Sequence, residues 1–273
     1  IKAIRSVWRT IPRVNFSDSG RMHKLLLGDC LEQMKTLADN SVDMVLTSPP
    51  YDSLRSYGGQ EKFTFDKFKE IAKEISRLLV SGGVIVWVVA DQTINGSETG
   101  TSFKHALFFK ESCGLNIHDT MIYASEKPPL THNRYEQKFE YMFVFSKGKP
   151  RVFNPIMEDC KLAGKISNAS TFRHDGETLG KFHGAGKPVK EKKIKGNIWI
   201  YRNNNKTKHP AVLPEKLAED HILSWSQPND LILDPFLGSG TTALMAKKNN
   251  RNFIGIEMNQ EYLEIAQKRI ESA

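Results

Sequence analysis

Leu231-Ile232-Leu233 is a short apolar run that ends in Asp234 and passes at once into Pro235-Phe236-Leu237-Gly238-Ser239-Gly240-Thr241-Thr242. Glycines at such a turn let the backbone approach a ligand where any side chain clashes, and a helix opening directly after them points its unpaired N–H groups the same way. The pattern predicts a helix from Thr242 to Lys248, then a strand from Phe253 to Ile256 that ends in Glu257. Strand, glycine turn, helix, strand and acid in this order is a β-α-β unit of the nucleoside-binding kind, with Glu257 suited to the two hydroxyls of a ribose. The spacing Gly238-Ser239-Gly240-Thr241-Thr242-Ala243 also fits the dinucleotide fingerprint with alanine in the last place, which keeps an NAD-dependent enzyme open. A P-loop is excluded, because the turn lacks the Gly-Lys-Ser/Thr ending.

A second strand end lies near the other end of the chain. Asp43-Met44-Val45-Leu46 reads as a buried strand, and Thr47-Ser48-Pro49-Pro50-Tyr51 stops it, since proline has no amide proton to continue a ladder. In an open α/β sheet that carboxyl edge is where ligands bind, so a serine hydroxyl, two rigid carbonyl-bearing prolines and an aromatic ring are presented there. Upstream, His23–Leu27 is a strand candidate ending in Gly28-Asp29-Cys30, and Leu31, Met34 and Leu37 mark a helix before the next strand. Asp29 thus sits beside the Ser48 strand end, with a helix N-cap as the other role open to it. Downstream, Asp52–Gln60 reads as a polar loop beside the site. A helix is expected over Phe63–Leu79, closed by Ser81-Gly82-Gly83, followed by a strand over Val84–Val89. A helix over Phe103–Cys113 and strands over Ile117–Tyr123 and Phe139–Phe145 follow. For the loop Lys127–Arg134, substrate contact and a plain solvated connection both stay open.

Charge separates the middle of the chain from the rest. Between Lys147 and Lys195 there are twelve basic and five acidic side chains, so nearly all of the net +8 is local, and glycines interrupt any regular periodicity. Such a stretch reads as an inserted, loop-rich module whose positive charge suits a phosphate backbone, with Arg173, His174, Lys190, Lys192, Lys193 and Lys195 as the contact candidates. The expected organisation is an arm over 1–21, a catalytic half over 22–146, a target-recognition insertion over 147–196 and a cofactor half over 197–273. Cys30, Cys113 and Cys160 are odd in number and widely spaced, and no apolar run reaches membrane-spanning length, so a soluble, cytoplasmic protein is expected.

Asp234-Pro235-Phe236 with Gly238-Ser239-Gly240-Thr241-Thr242, taken together with Thr47-Ser48-Pro49-Pro50-Tyr51, resembles the S-adenosylmethionine-dependent DNA amino-methyltransferases. The order of catalytic motif, basic insertion and cofactor motif is similar to their permuted β class. The resemblance implies a doubly wound, mostly parallel α/β sheet of the Rossmann-like methyltransferase type, circularly permuted, with an inserted basic target-recognition region. It implies Ser48, Pro49, Pro50 and Tyr51 as catalytic residues. For S-adenosyl-L-methionine it implies Asp29, Thr47, His209, Pro210, Lys216, Asp234, Phe236, Gly238, Ser239, Gly240, Thr241, Thr242 and Glu257. No metal is implied. A serine before Pro-Pro-Tyr in that family usually accompanies methylation of the N4 amine of cytosine, with N6-adenine as the nearest alternative and an inactive nucleic-acid binder as a more distant one. Double-stranded DNA is the partner so implied, and a cognate restriction endonuclease is a possible second.

Overall fold

The computed structural model describes residues 13–16, 20, 22–50, 63–124, 135–167, 171–173, 179–181, 186–201 and 213–273, with backbone alone at 13–16, 171–173 and 179–181. Along the chain these form β1 (Arg13–Phe16), β2 (His23–Leu27), α1 (Cys30–Lys35), β3 (Val42–Thr47), α2 (Phe65–Leu78), β4 (Leu79–Val89), β5 (Thr93–Ile94), β6 (Ser97–Glu98), α3 (Thr101–Glu111), β7 (Asn116–Ala124) and β8 (Phe139–Ser146). There follow β9 (Met157–Asp159), β10 (Thr171–Arg173), β11 (Leu179–Lys181), β12 (Lys192–Ile194), β13 (Ile198–Ile200), α4 (Glu215–Trp225), β14 (Leu231–Asp234), α5 (Thr241–Lys248), β15 (Asn252–Glu257) and α6 (Gln260–Glu271). The chain divides into two compact units, Ile1–Phe153 with Asn197–Ala273, and Asn154–Gly196.

The first unit is built on a nine-stranded sheet ordered β1-β2-β15-β14-β3-β4-β8-β7-β13. The five strands from β2 to β4 run parallel to their neighbours, whereas β1 and β8 run against theirs. This is the doubly wound, mostly parallel α/β architecture that the two motifs predict. The permutation is visible in the order itself, because β14 and β15, late in the chain, are inserted between β2 and β3.

Alternate residues of the central strands are buried on opposite faces. Val45, Ile85, Trp87, Leu233 and Ile254 join Met34, Phe68, Ile71, Ile75 and Phe109 of α1, α2 and α3 in one apolar layer. Met44, Leu46, Val84, Val86 and Ile232 are as deeply buried on the other face, which explains the near-continuous apolar runs in sequence. Phe68 is central to the first layer, stacking on His105 at 3.7 Å between ring centres and meeting Trp87 and Phe109 edge to face. The His105 ring accepts the Trp87 indole proton at Nδ1, and burial lowers its pKa to about 3, so it packs as a neutral aromatic.

Three local expectations differ from what is observed. The run Ser81-Gly82-Gly83 does not cap α2; the helix ends at Leu78 and the strand begins at once. Gly82, at φ +76°, donates its N–H to the Lys147 carbonyl at 2.7 Å and accepts from the Arg151 N–H at 3.0 Å, so these glycines belong to the β4 edge. Within 1–21, expected to be an arm, Arg13–Phe16 forms β1 and extends the sheet antiparallel to β2. Finally, Lys147 and Arg151, counted among the basic residues of the insertion, belong to the first unit. Lys147 Nζ donates to Asn40, Ser76 and Leu79, and Arg151 pairs with Asp43 at 2.9 Å and Asp230 at 2.7 Å.

The second unit is held by two short antiparallel pairs, β9 with β12 and β10 with β11. Lys193 lies directly opposite Glu158 and pairs with it at 2.9 Å, and Lys192 likewise pairs with Asp159.

A methyl group added at Gly82 meets the Arg151 Cβ at 3.0 Å and backbone atoms of Arg151 and Lys149 at 3.1 Å, while one at Gly148, with a similar φ of +78°, meets nothing within 4 Å. Urea titration followed by circular dichroism is expected to show Gly82→Ala destabilised by about 2 kcal/mol and Gly148→Ala by about 1 kcal/mol, the latter reflecting left-handed strain alone. Equal losses contradict the close-packed assignment of Gly82.

Candidate active site

The parallel pairing of β14 with β3, Ile232 opposite Met44 and Leu233 opposite Val45, brings the two motifs side by side at the carboxyl edge of the sheet. Thr47 ends β3 and Asp234 ends β14, both buried. The Thr47 hydroxyl donates to Asp234 Oδ1 at 2.6 Å, and the Phe236 N–H donates to the same oxygen at 3.1 Å. Thr242, in the first turn of α5, points its hydroxyl at the Leu46 carbonyl at 3.3 Å and also stabilises the Asp234 carboxylate. Burial nevertheless outweighs these bonds and pushes the Asp234 carboxyl up to about 6. Ser48, Pro49 and Pro50 follow directly from this tied strand end; Tyr51, His209 and Pro210 lie outside the described residues.

On the other side of β14, β15 pairs in parallel with β2, and the Gly28 N–H donates to the Glu257 carbonyl at 2.9 Å. The Glu257 carboxylate accepts from the Gly238 N–H and the Asn259 N–H, each at 2.8 Å. Burial raises its pKa against those bonds, and the residue stays partly open to solvent. Asp29 is the N-cap of α1, accepting from Leu31 N at 2.8 Å and Glu32 N at 3.3 Å, and it pairs with Lys67 Nζ at 2.9 Å. Burial opposes its ionisation, but the Lys67 and backbone donors prevail and hold its pKa below the usual carboxylate value. The Phe236 ring, partly exposed, meets Phe63 at 5.5 Å and Trp87 at 6.3 Å, both edge to face. Glu257, Asp29, Phe236 and the glycine turn therefore lie on neighbouring strand ends, a donor and acceptor set that fits a nucleoside cofactor.

The turn is braced from behind by a helix that the motif reading did not use. Arg269 of α6 donates from Nη1 to the Ser239 carbonyl at 2.6 Å, to Ser239 Oγ at 3.0 Å and to Thr241 Oγ1 at 3.3 Å, and from Nη2 to Glu215 of α4 at 2.9 Å. Gly240 sits at φ +82° with Ala266 of α6 so close that an added Cβ comes within 2.7 Å of its methyl. Helix packing thus dictates this glycine, whatever the ligand requires. The helix itself is legible in Asn259 as N-cap and in Leu263, Ala266 and Ile270 at helical spacing, whereas the reach of Arg269 depends on tertiary packing.

Other candidates are engaged elsewhere. Lys216, on the first turn of α4, bonds Asp220 at 2.6 Å and Glu219 at 3.2 Å. In the second unit Lys190 is exposed and Lys195 half-buried; the Arg173 backbone lies in β10, and His174 is outside the described residues. Cys30 is buried and its thiol is pushed up to about 12, which leaves it no thiolate chemistry. No His, Cys, Asp and Glu cluster among the described residues has the makings of a metal site, and no helix among them is long and apolar enough to cross a membrane.

Residues 42–268 match the family described as DNA methylase, which groups N6 and N4 methyltransferases. The chain belongs to this family. The methylase is 47% identical over 251 residues to the orphan methyltransferase M.BamHII of Bacillus amyloliquefaciens, covering 87% of this chain and 92% of that protein. It is 30% identical over 254 residues to the type II methyltransferase M.BglII of Bacillus subtilis, covering 90% of this chain and 68% of that protein. Among solved structures, the PvuII DNA methyltransferase (cytosine-N4-specific) shares the fold at a TM-score of 0.68 and 20% identity, over 90% of this chain and 86% of that one. An M1.HpyAVI complex with S-adenosylmethionine superposes at a TM-score of 0.59 with 28% identity, over 91% of the methylase and 100% of that chain.

The folded methylase holds the Asp234 proton more tightly than the unfolded chain does. This carboxyl therefore favours folding near pH 4, and that contribution is lost as pH rises through about 6. Asp234→Asn keeps an acceptor oxygen and removes the titration. Thermal melts are expected to shift in favour of the variant, relative to the native protein, by roughly 2 kcal/mol between pH 4 and pH 7.5. A difference that does not change with pH places Asp234 in the ordinary carboxylate range.

Proposed function

We propose that this DNA methyltransferase transfers a methyl group from S-adenosylmethionine to the exocyclic N4 amine of cytosine in double-stranded DNA. The observation that supports the reading is the pairing of β3 with β14, the two strands that run on into Ser48-Pro49 and into the glycine turn. The turn Gly238–Thr242 would hold the methionine end of the cofactor, Glu257 its ribose hydroxyls and Gly28-Asp29 its adenine. Phe236 and the segment from His209 to Lys216 complete the methionine side. When bound, the cofactor supplies a methyl carbon made electrophilic by its sulfonium.

An aromatic exocyclic amine is a poor nucleophile, because its lone pair is delocalised into the ring. Ser48 Oγ and the Pro49 carbonyl accept its two hydrogens, which pyramidalises the nitrogen and turns the lone pair toward the methyl carbon. The cofactor would give up its methyl carbon from the sulfonium and leave as S-adenosylhomocysteine, and Ser48 Oγ and the Pro49 carbonyl would pass the one proton lost from the nitrogen toward solvent. Positioning and preorganised acceptors provide the rate enhancement, with no covalent enzyme intermediate. An amine inside a duplex is out of reach, so the base is flipped out and Tyr51 stacks on its face. The serine at position 48 favours cytosine over adenine. A restriction endonuclease partner is not carried forward, since the relative at 47% identity is itself named an orphan methyltransferase.

Two measurements check the reading. Incubation with mixed-sequence DNA and S-adenosylmethionine, followed by digestion to nucleosides and mass spectrometry, is expected to yield N4-methylcytosine and to yield almost none with Ser48→Ala. N6-methyladenine keeps the cofactor assignment and overturns the base assignment. In the insertion, Lys190→Ala is expected to lower duplex affinity and reduce the salt slope by about 0.9. Lys192→Ala and Lys193→Ala are expected to do less, because both lysines already face carboxylates. Fluorescence anisotropy of a labelled duplex between 50 and 200 mM salt, roughly the range over which counterion release is resolved, makes the comparison.

A further inference from the structure

Thr47 and Asp234 are grouped by motif with the cofactor contacts, yet their polar atoms face each other inside the protein. Thr47 has no solvent exposure and Asp234 has 6%. A single carboxylate oxygen receives the Thr47 hydroxyl at 2.6 Å and the Phe236 N–H at 3.1 Å. Thr242, 3% exposed, closes the arrangement from α5 by reaching the Leu46 carbonyl and stabilising the same carboxylate. The residue immediately before Ser48 is therefore bonded to a group that also fixes the first residue of the cofactor turn and the first turn of the helix beyond it.

We infer that Thr47 is a positioning residue: its hydrogen bond to Asp234 sets the distance between the Ser48-Pro49 acceptors and the methyl group delivered by the cofactor turn. The inference rests on the reading of Ser48 given above. In a direct transfer the nitrogen and the methyl carbon must be held in line and close, and a misplacement of about 1 Å costs on the order of a hundredfold in rate. Parallel backbone pairing alone does not fix the strand ends, since the ladder between β14 and β3 registers only Ile232 with Met44 and Leu233 with Val45. Beyond that point the Thr47–Asp234 bond ties the two strand ends through side chains. Thr47 touches neither base nor methyl group, so its removal is predicted to slow turnover while leaving the cofactor site intact.

The test compares Thr47→Val, which keeps the shape and removes the donor, with Thr47→Ser, which keeps the donor. Turnover is measured on unmethylated bacterial DNA with labelled S-adenosylmethionine, and S-adenosylhomocysteine affinity is measured by calorimetry. Thr47→Val is expected to lower kcat by about ten- to a hundredfold with the S-adenosylhomocysteine Kd changed less than about threefold, and Thr47→Ser to restore most of kcat. Should Thr47→Val not fold cooperatively, Thr47→Ala against Thr47→Ser carries the same comparison. Full kcat in Thr47→Val overturns the inference, as does an equal loss in Thr47→Ser, or a loss of kcat matched by a loss of S-adenosylhomocysteine affinity. Ser48→Ala is assayed in parallel. If it turns over at the native rate the reading of Ser48 fails, and with it the basis of the inference; if it is slow while Thr47→Val is not, the inference alone fails.

Discussion

The structure depends on one lateral contact, the parallel pairing of β14 with β3. Everything chemical in the first unit lies at the carboxyl ends of these strands or of their immediate neighbours, β15 with β2 on one side and β4 on the other. In an open sheet of this kind ligands bind in the crevice outside the carboxyl ends of the strands, which is why a cofactor turn and a catalytic strand end share that edge. Parallel strands cannot be joined by a tight turn, so each arrives by its own helical crossover, and α1 to α3 and α4 to α6 cover the sheet as two separate layers.

Behind that edge, polar groups that read as ligand contacts also hold the framework. Asp234 gathers Thr47, Phe236 and Thr242; Glu257 receives two backbone donors; Asp29 caps α1 and pairs with Lys67. Buried carboxylates are costly unless each oxygen is satisfied, and here the donors come from the elements whose ends must be aligned. Arg269 does the same from the opposite sign of charge, joining α6, α4 and the glycine turn through one guanidinium. The groups that would meet the cofactor are thus held by the same bonds that align the strand ends.

Much of this was legible in the chain. Apolar runs closed by Asp234, Glu257, Asp29 and Pro49 located four strand ends, and their motif order anticipated the sheet permutation. What was not legible depended on partners distant in sequence. Gly82 looks like a helix stop, because Ser-Gly-Gly after an amphipathic helix usually is one; only the chain passing Lys147 and Arg151 makes it part of a strand edge. Lys147 and Arg151 looked like DNA-binding charge for the same reason, since nothing local shows that Asn40, Asp43 and Asp230 face them. Arg13–Phe16 does alternate polar and apolar residues, but over four positions only, too few to mark a strand until its pairing with β2 is seen. Gly240 was read as a glycine because a ligand approaches it; the constraint seen in the fold is the neighbouring Ala266 of α6.

The position of β14 and β15 between β2 and β3 also bears on how the molecule is made. A ribosome delivers β2 and β3 early, yet the two strands that separate them emerge only after more than half of the chain has been synthesised. Until then β2 and β3 each lack one native neighbour, and bringing them directly together closes the sheet in the wrong order. The nascent protein must keep that gap open, so its central sheet is completed late and by contacts of long sequence separation. The antiparallel β1 partner of β2 then takes on a temporal meaning: it covers one edge of an early strand while the place at the other edge waits to be filled.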